Sequence, residues 1–175
     1  VMLNDIAGKG FDGTLKMSGS YSTKVDKKNP DISFSYSVQS VDIQKTFNSF
    51  ETVQKMMPAA KYMSGKVNTN LTVNGKLGPD MSPVMNTLSG KGDLMLEGGL
   101  LHGFPVKAQL AEKLKLTQFR SITLKDMKLF FSFQDGRVTV EPYKMKLGND
   151  IEAEIAGSHG FDQTLKYGAN VVVPR

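Results

Sequence analysis

Two histidines, His102 and His159, are the only imidazoles in a 175-residue chain that contains no cysteine. The lack of cysteine removes disulfides, thiolate metal sites and cysteine nucleophiles together. Neither histidine stands in an H-x-x-x-H or H-x-H pair, so zinc-ligand spacing is missing as well. His102 lies in Gly99-Leu100-Leu101-His102-Gly103, and His159 in a glycine-bounded turn whose counterpart near the N-terminus carries Lys9. A position shared with lysine reads as a solvated side chain. No G-x-S-x-G elbow is present, so a serine-histidine-aspartate triad would have to be assembled from scattered positions. Asp126, Asp135 and Asp150 fall at strand ends or turns, where aspartate serves turn chemistry. Gly8-Lys9-Gly10-Phe11-Asp12-Gly13 spells G-x-G-x-x-G, but a dinucleotide site needs a helix to follow, and Thr14 to Ser22 alternates like a strand. Those glycines are turn residues. Asn70-Leu71-Thr72 matches a glycosylation tripeptide, yet it sits inside a strand pattern and carries no weight. The expectation is a protein with no catalytic, cofactor-binding or metal residues, and not an enzyme.

What the residues do specify is alternation, the signature of half-buried strands. Ile32, Phe34, Tyr36 and Val38 alternate with serines, and Val67, Leu71 and Val73 alternate with asparagine and threonine. Met127, Leu129, Phe131 and Phe133 lead into Asp135-Gly136, a pair that favours a tight hairpin turn, and Val138 and Val140 follow. Tyr143, Met145 and Leu147 reach Gly148-Asn149-Asp150, and Ile151, Ala153 and Ile155 return. Three helices are predicted between the strands. The first runs over 43–57, capped by Asp42, carrying a Glu51/Lys55 pair and ended by Pro58. The second covers 83–88 behind Ser82 and Pro83, and the third covers 105–116. The fold class is mainly β (α+β): a curved antiparallel sheet of meandering strands with about three inserted helices. One internal echo stands out. Ile6-Ala7-Gly8-Lys9-Gly10-Phe11-Asp12 with Thr14-Leu15-Lys16 recurs as Ile155-Ala156-Gly157-Ser158-His159-Gly160-Phe161-Asp162 with Thr164-Leu165-Lys166. The sheet therefore repeats a strand-turn-strand unit.

Residues 1–175 read as a single β-rich domain and as a fragment of a longer protein, since the chain opens on Val1 with no signal peptide. No apolar run approaches the ~20 residues of a transmembrane helix. Apolar side chains make up 39% of the chain, enough for one core. The net charge of +5 is spread rather than clustered, which argues against nucleic acid as a partner. Leu129, Phe131, Phe133, Val138, Val140, Met145 and Leu147 share one apolar face. Periodicity leaves open whether that face is a closed core or a groove for an apolar ligand.

From about Val41 to Val173 the order of features resembles the C-terminal region of the AsmA family of bacterial envelope proteins. The series comprises Met56-Met57-Pro58-Ala59-Ala60, Ser64-Gly65, Val73-Asn74-Gly75-Lys76-Leu77 and Thr87-Leu88-Ser89-Gly90-Lys91-Gly92. It continues through Leu101-His102-Gly103-Phe104-Pro105 and Asp135-Gly136-Arg137-Val138 to Gly157, Phe161-Asp162, Leu165, Tyr167 and Val173-Pro174. The resemblance implies a periplasmic protein anchored to the inner membrane by an N-terminal helix outside this sequence, with a role in outer-membrane biogenesis. It is also similar to bridge-like lipid-transfer proteins, in which a long sheet carries acyl chains of phospholipid or other lipids. On that reading Leu129, Phe131, Phe133, Val138, Val140, Met145 and Leu147 face lipid. The alternative is a β-rich scaffold or binding module for envelope proteins or glycans, with a closed core.

Overall fold

Strands separated by turn residues, each apolar at every second position, pair most simply with their sequence neighbours, and the molecule follows that rule. The computed structural model describes residues 1–103, 121–124, 127–147 and 151–172. The ten strands are β1 (Met2–Gly10), β2 (Gly13–Ser22), β3 (Asp31–Asp42), β4 (Met63–Lys76), β5 (Ser89–His102), β6 (Ser121–Leu124), β7 (Lys128–Gln134), β8 (Arg137–Leu147), β9 (Ile151–Gly160) and β10 (Leu165–Val172). They form one antiparallel sheet in the order β1-β2-β3-β4-β5-β7-β8-β9-β10. Strand β5 takes two partners in tandem: β7 along Gly90–Met95 and β6 along Gly99–His102. Among the described residues the sheet ends at β1 and β10 and does not close into a barrel.

Directly opposed residues of an antiparallel pair point to the same face. The rows Met17–Tyr36–Leu71–Gly92–Phe131–Val140 and Gly19–Phe34–Val73–Gly90–Phe133–Val138–His159 therefore define one apolar face. Register shifts at Leu3/Ile6, Val38/Val41, Ser64/Lys66 and Val140/Tyr143 would turn the strands over if each were a clean slip. Each is instead a bulge that inserts one residue and restores the same face. Asp5, Ser40 and Gly98 take up the bulges with φ of 52°, 53° and 61°. Pro142 falls inside the fourth, where no ladder hydrogen bond is required of it.

The glycines on the apolar face have a common partner. Gly19, Gly90, Gly92 and Gly157 lie directly opposite Phe34, Phe133, Phe131 and Tyr167. A Cβ on Gly90 would come within 2.6 Å of the Phe133 ring, and one on Gly92 within 3.0 Å of the Phe131 ring. Each aromatic ring thus lies over the bare backbone of its cross-strand glycine and supplies the apolar cover that the glycine lacks.

Only part of the first predicted helix is continuous. Asp42 caps it as expected, its Oδ1 accepting from the Lys45 N–H at 2.8 Å. The segment then splits into α1 (Ile43–Ser49) and α2 (Glu51–Met56), because Phe50 is extended at φ −128° and ψ 113°. The Glu51–Lys55 ion pair forms at 2.6 Å. Pro58 opens a 3₁₀ turn over Pro58–Tyr62. The second predicted helix is only a 3₁₀ turn at Met85–Thr87, because Pro83 bridges Leu77 and the Val84 N–H donates to the Lys76 carbonyl. The third, 105–116, and the Gly148-Asn149-Asp150 turn lie outside the described residues.

Candidate functional site: the apolar sheet face and its roof

The segment from Ile43 to Tyr62 roofs the middle of the apolar face. Ile43, Ala60, Met63, Leu94, Leu96, Leu124 and Met127 form one buried cluster, with Phe47, Met57, Leu129, Phe131, Tyr143 and Met145 packed at its margin. Leu88, Phe133 and Val138 form a second, bounded by Met56, Met85, Leu71, Val73 and Phe161. At roughly 25 cal/mol per Å² of apolar surface removed from water, these two clusters are the main source of stability.

The seven sequence-predicted lipid-facing residues do not share one fate. Phe133 and Val138 are 2% and 3% exposed, and what covers them is protein. They are core residues. Leu129, Phe131, Val140 and Met145 are half-buried. The side chain of Leu147 lies outside the described residues.

Away from the roof the same face is open. Ile6 and Leu15, on β1 and β2, are 43% and 39% exposed, and Leu165 and Tyr167, on β10, are 67% and 44% exposed. All four stand in the register rows of the buried clusters. The apolar surface is therefore continuous, roofed in its centre and bare on both flanks.

His159 is a core residue rather than the solvated side chain its sequence position suggested. It faces inward opposite Val138 and is 6% exposed. Its Nε2 lies 2.6 Å from the Met56 carbonyl and its Nδ1 lies 2.8 Å from the Tyr167 hydroxyl. A carbonyl can only accept, so Nε2 carries the proton and Nδ1 accepts from the tyrosine O–H. Burial holds its pKa below the ordinary imidazole value; the bond to the Met56 carbonyl opposes that shift, and the Arg137 charge adds to it. The sequence did carry a signal for this. The second copy of the echo has one more residue between Gly157 and Gly160 than the first has between Gly8 and Gly10, which turns His159 onto the apolar face.

The other sequence candidates resolve into turns and surface contacts. Gly10 pairs with Gly13, and Phe11 and Asp12 form a two-residue turn with φ of 52° and 65° that leads into β2, not into a helix. Asp135 and Gly136 form the expected turn, with φ of 51° and 72°. Asp126 and Asp150 lie outside the described residues. His102 Nε2 meets Ser64 Oγ at 3.0 Å across β4 and β5. An activated serine also needs its base oriented by a third group, and among the described residues Ser64 is the hydrogen-bond partner of the His102 ring. No group of three or more His, Cys, Asp or Glu converges among them either.

The opposite face is polar and carries a depression of about 680 Å³ across β2 to β8. Ser18, Ser35, Asn70, Thr72 and Asp93 line it beside the Phe130 ring, which is 48% exposed, and Met17, Tyr36, Leu71 and Phe131 of the central row border it as well. Nearby, Ser40 and Asn68 donate to the Glu97 carboxylate at 3.1 and 2.6 Å and hold its pKa below the usual range. No family model, curated protein or solved structure matches this chain.

Proposed function

We propose that this is a non-enzymatic, AsmA-like envelope domain that handles phospholipid or another acyl-chain lipid on the open flanks of its apolar sheet face. One observation carries the reading: apolar residues in register with the core are left bare beside β1–β2 and on β10, where a folded monomer gains nothing from exposing them. A ten-residue strand such as β2 spans roughly 33 Å, ample for an acyl chain laid along it. Leu129, Phe131, Val140 and Met145 would meet such a chain only at the margin of the roof. The family resemblance adds the periplasm as location, anchoring to the inner membrane and a role in outer-membrane biogenesis. Among the described residues no helix is long and apolar enough to cross a membrane, so attachment on this reading comes from elsewhere in the protein. The test is solvent extraction and mass spectrometry of lipid from protein purified out of a bacterial envelope. Wild type should carry lipid, and Ile6→Asp with Leu15→Asp should lose it at unchanged melting temperature. Lipid-free wild type would sink the proposal.

A second reading has its own support. The polar-face depression, with hydroxyls, amides and an exposed ring, suits a scaffold or glycan-binding module. It requires that an envelope glycan bind to the protein and that Asn70→Ala weaken the binding.

A further inference from the structure

The two copies of the sequence echo are the two edge hairpins of the sheet, β1–β2 and β9–β10. Leu15, Lys16, Met17 and Gly19 of β2 correspond to Leu165, Lys166, Tyr167 and Ala169 of β10. The correspondence breaks on the outer side. There β2 is covered by β3, which sets Val38 opposite Leu15, Tyr36 opposite Met17 and Phe34 opposite Gly19. Among the described residues no strand lies on the outer side of β10, and seven of its eight residues are exposed.

An edge strand exposes unpaired backbone groups, and proteins blunt such edges with bulges, charges or proline. At the other end of the sheet β1 is blunted, by the bulge at Leu3/Ile6 with Asp5 at φ 52°. Strand β10 has none of these devices beyond Lys166. It pairs with β9 without a register break over eight residues, contains no proline, and presents Leu165, Tyr167 and Val172. One edge is protected and the other is prepared.

We infer that the free edge of β10 is a docking edge for an antiparallel strand with the chemistry of β3, apolar residues alternating with small polar ones. Such a strand places apolar side chains beside Leu165, Tyr167 and Ala169 and extends the apolar face by one strand, while its backbone satisfies the outward N–H and C=O groups of β10. This inference does not depend on lipid binding.

The probe is a synthetic peptide of residues 31–41 added to the whole 175-residue chain, read by amide hydrogen exchange. Exchange at alternate β10 amides should slow at least tenfold at saturating peptide. A scrambled peptide without alternation should leave it unchanged. Leu165→Lys, at an exposed position, should weaken peptide binding at least tenfold without lowering the melting temperature. Val172→Lys serves as the second variant if the first does not fold. Unchanged β10 exchange, or equal slowing by the scrambled peptide, overturns the inference. Protection seen without peptide and lost on dilution also overturns it, by placing a second copy of the chain on that edge.

Discussion

A buried imidazole joins three elements through two hydrogen bonds, so its removal is felt well beyond one contact. His159→Ala would orphan the Met56 carbonyl and the Tyr167 hydroxyl, at a cost of about 1–3 kcal/mol in chemical denaturation. The bridge also responds to pH. An unfolded chain protonates its histidine near pH ~6.5, but burial delays protonation in the fold to lower pH. Between those two values the unfolded state binds more protons, so the contribution of His159 is whole above ~6.5 and is lost as pH falls through the lowered folded value. The wild-type melting temperature should fall more between about pH 7 and about pH 5 than that of His159→Gln; equal falls would disprove the coupling. Two phenylalanines three residues apart make the matching test of faces. Phe133→Ala should cost about 3–5 kcal/mol and Phe130→Ala under about 1 kcal/mol, because the first is buried and the second stands exposed on the polar face beneath Lys128. Alternation alone placed Phe131, Phe133 and Val138 on one face. It could not say which of them protein would cover, because the cover comes from Met56, Met85, Leu88 and Phe161, which are remote in sequence.

Among the elements, the helical roof shows best where local rules hold and where they yield. Its N-cap was legible because capping is local chemistry. Asp42→Ala should cost about 1 kcal/mol in thermal or urea unfolding, and Asp42→Asn should restore most of it. The neighbouring Lys45–Asp12 pair, though 2.6 Å long, is more than half exposed on both sides and should contribute little. The break at Phe50 was not legible. Periodicity counted Phe50 into a continuous helix, but its ring packs edge-on against Phe11 at 5.5 Å, and Phe11 belongs to a hairpin turn some forty residues earlier. A tertiary contact overrides local propensity there, as the Leu77–Pro83 bridge does at the second predicted helix.

For the whole molecule, the sequence disclosed the mainly β character and the meander, since each strand lies beside its sequence neighbour except where β5 is shared by β6 and β7. That neighbour pairing has a kinetic consequence. Loop closure between adjacent strands is cheap, so the sheet can grow hairpin by hairpin from any nucleus. The contact between Met56 and His159 spans 103 residues and has no local route. It should therefore form late, after the strands it ties down are in place. In stopped-flow refolding, His159→Ala should leave the folding limb of the chevron nearly unmoved and carry almost all of its effect in faster unfolding. A slowed folding limb would instead put that tie in the nucleus. If the tie is late, the first event in unfolding is the far end of the roof coming away from β9, with the ten strands still paired beneath it.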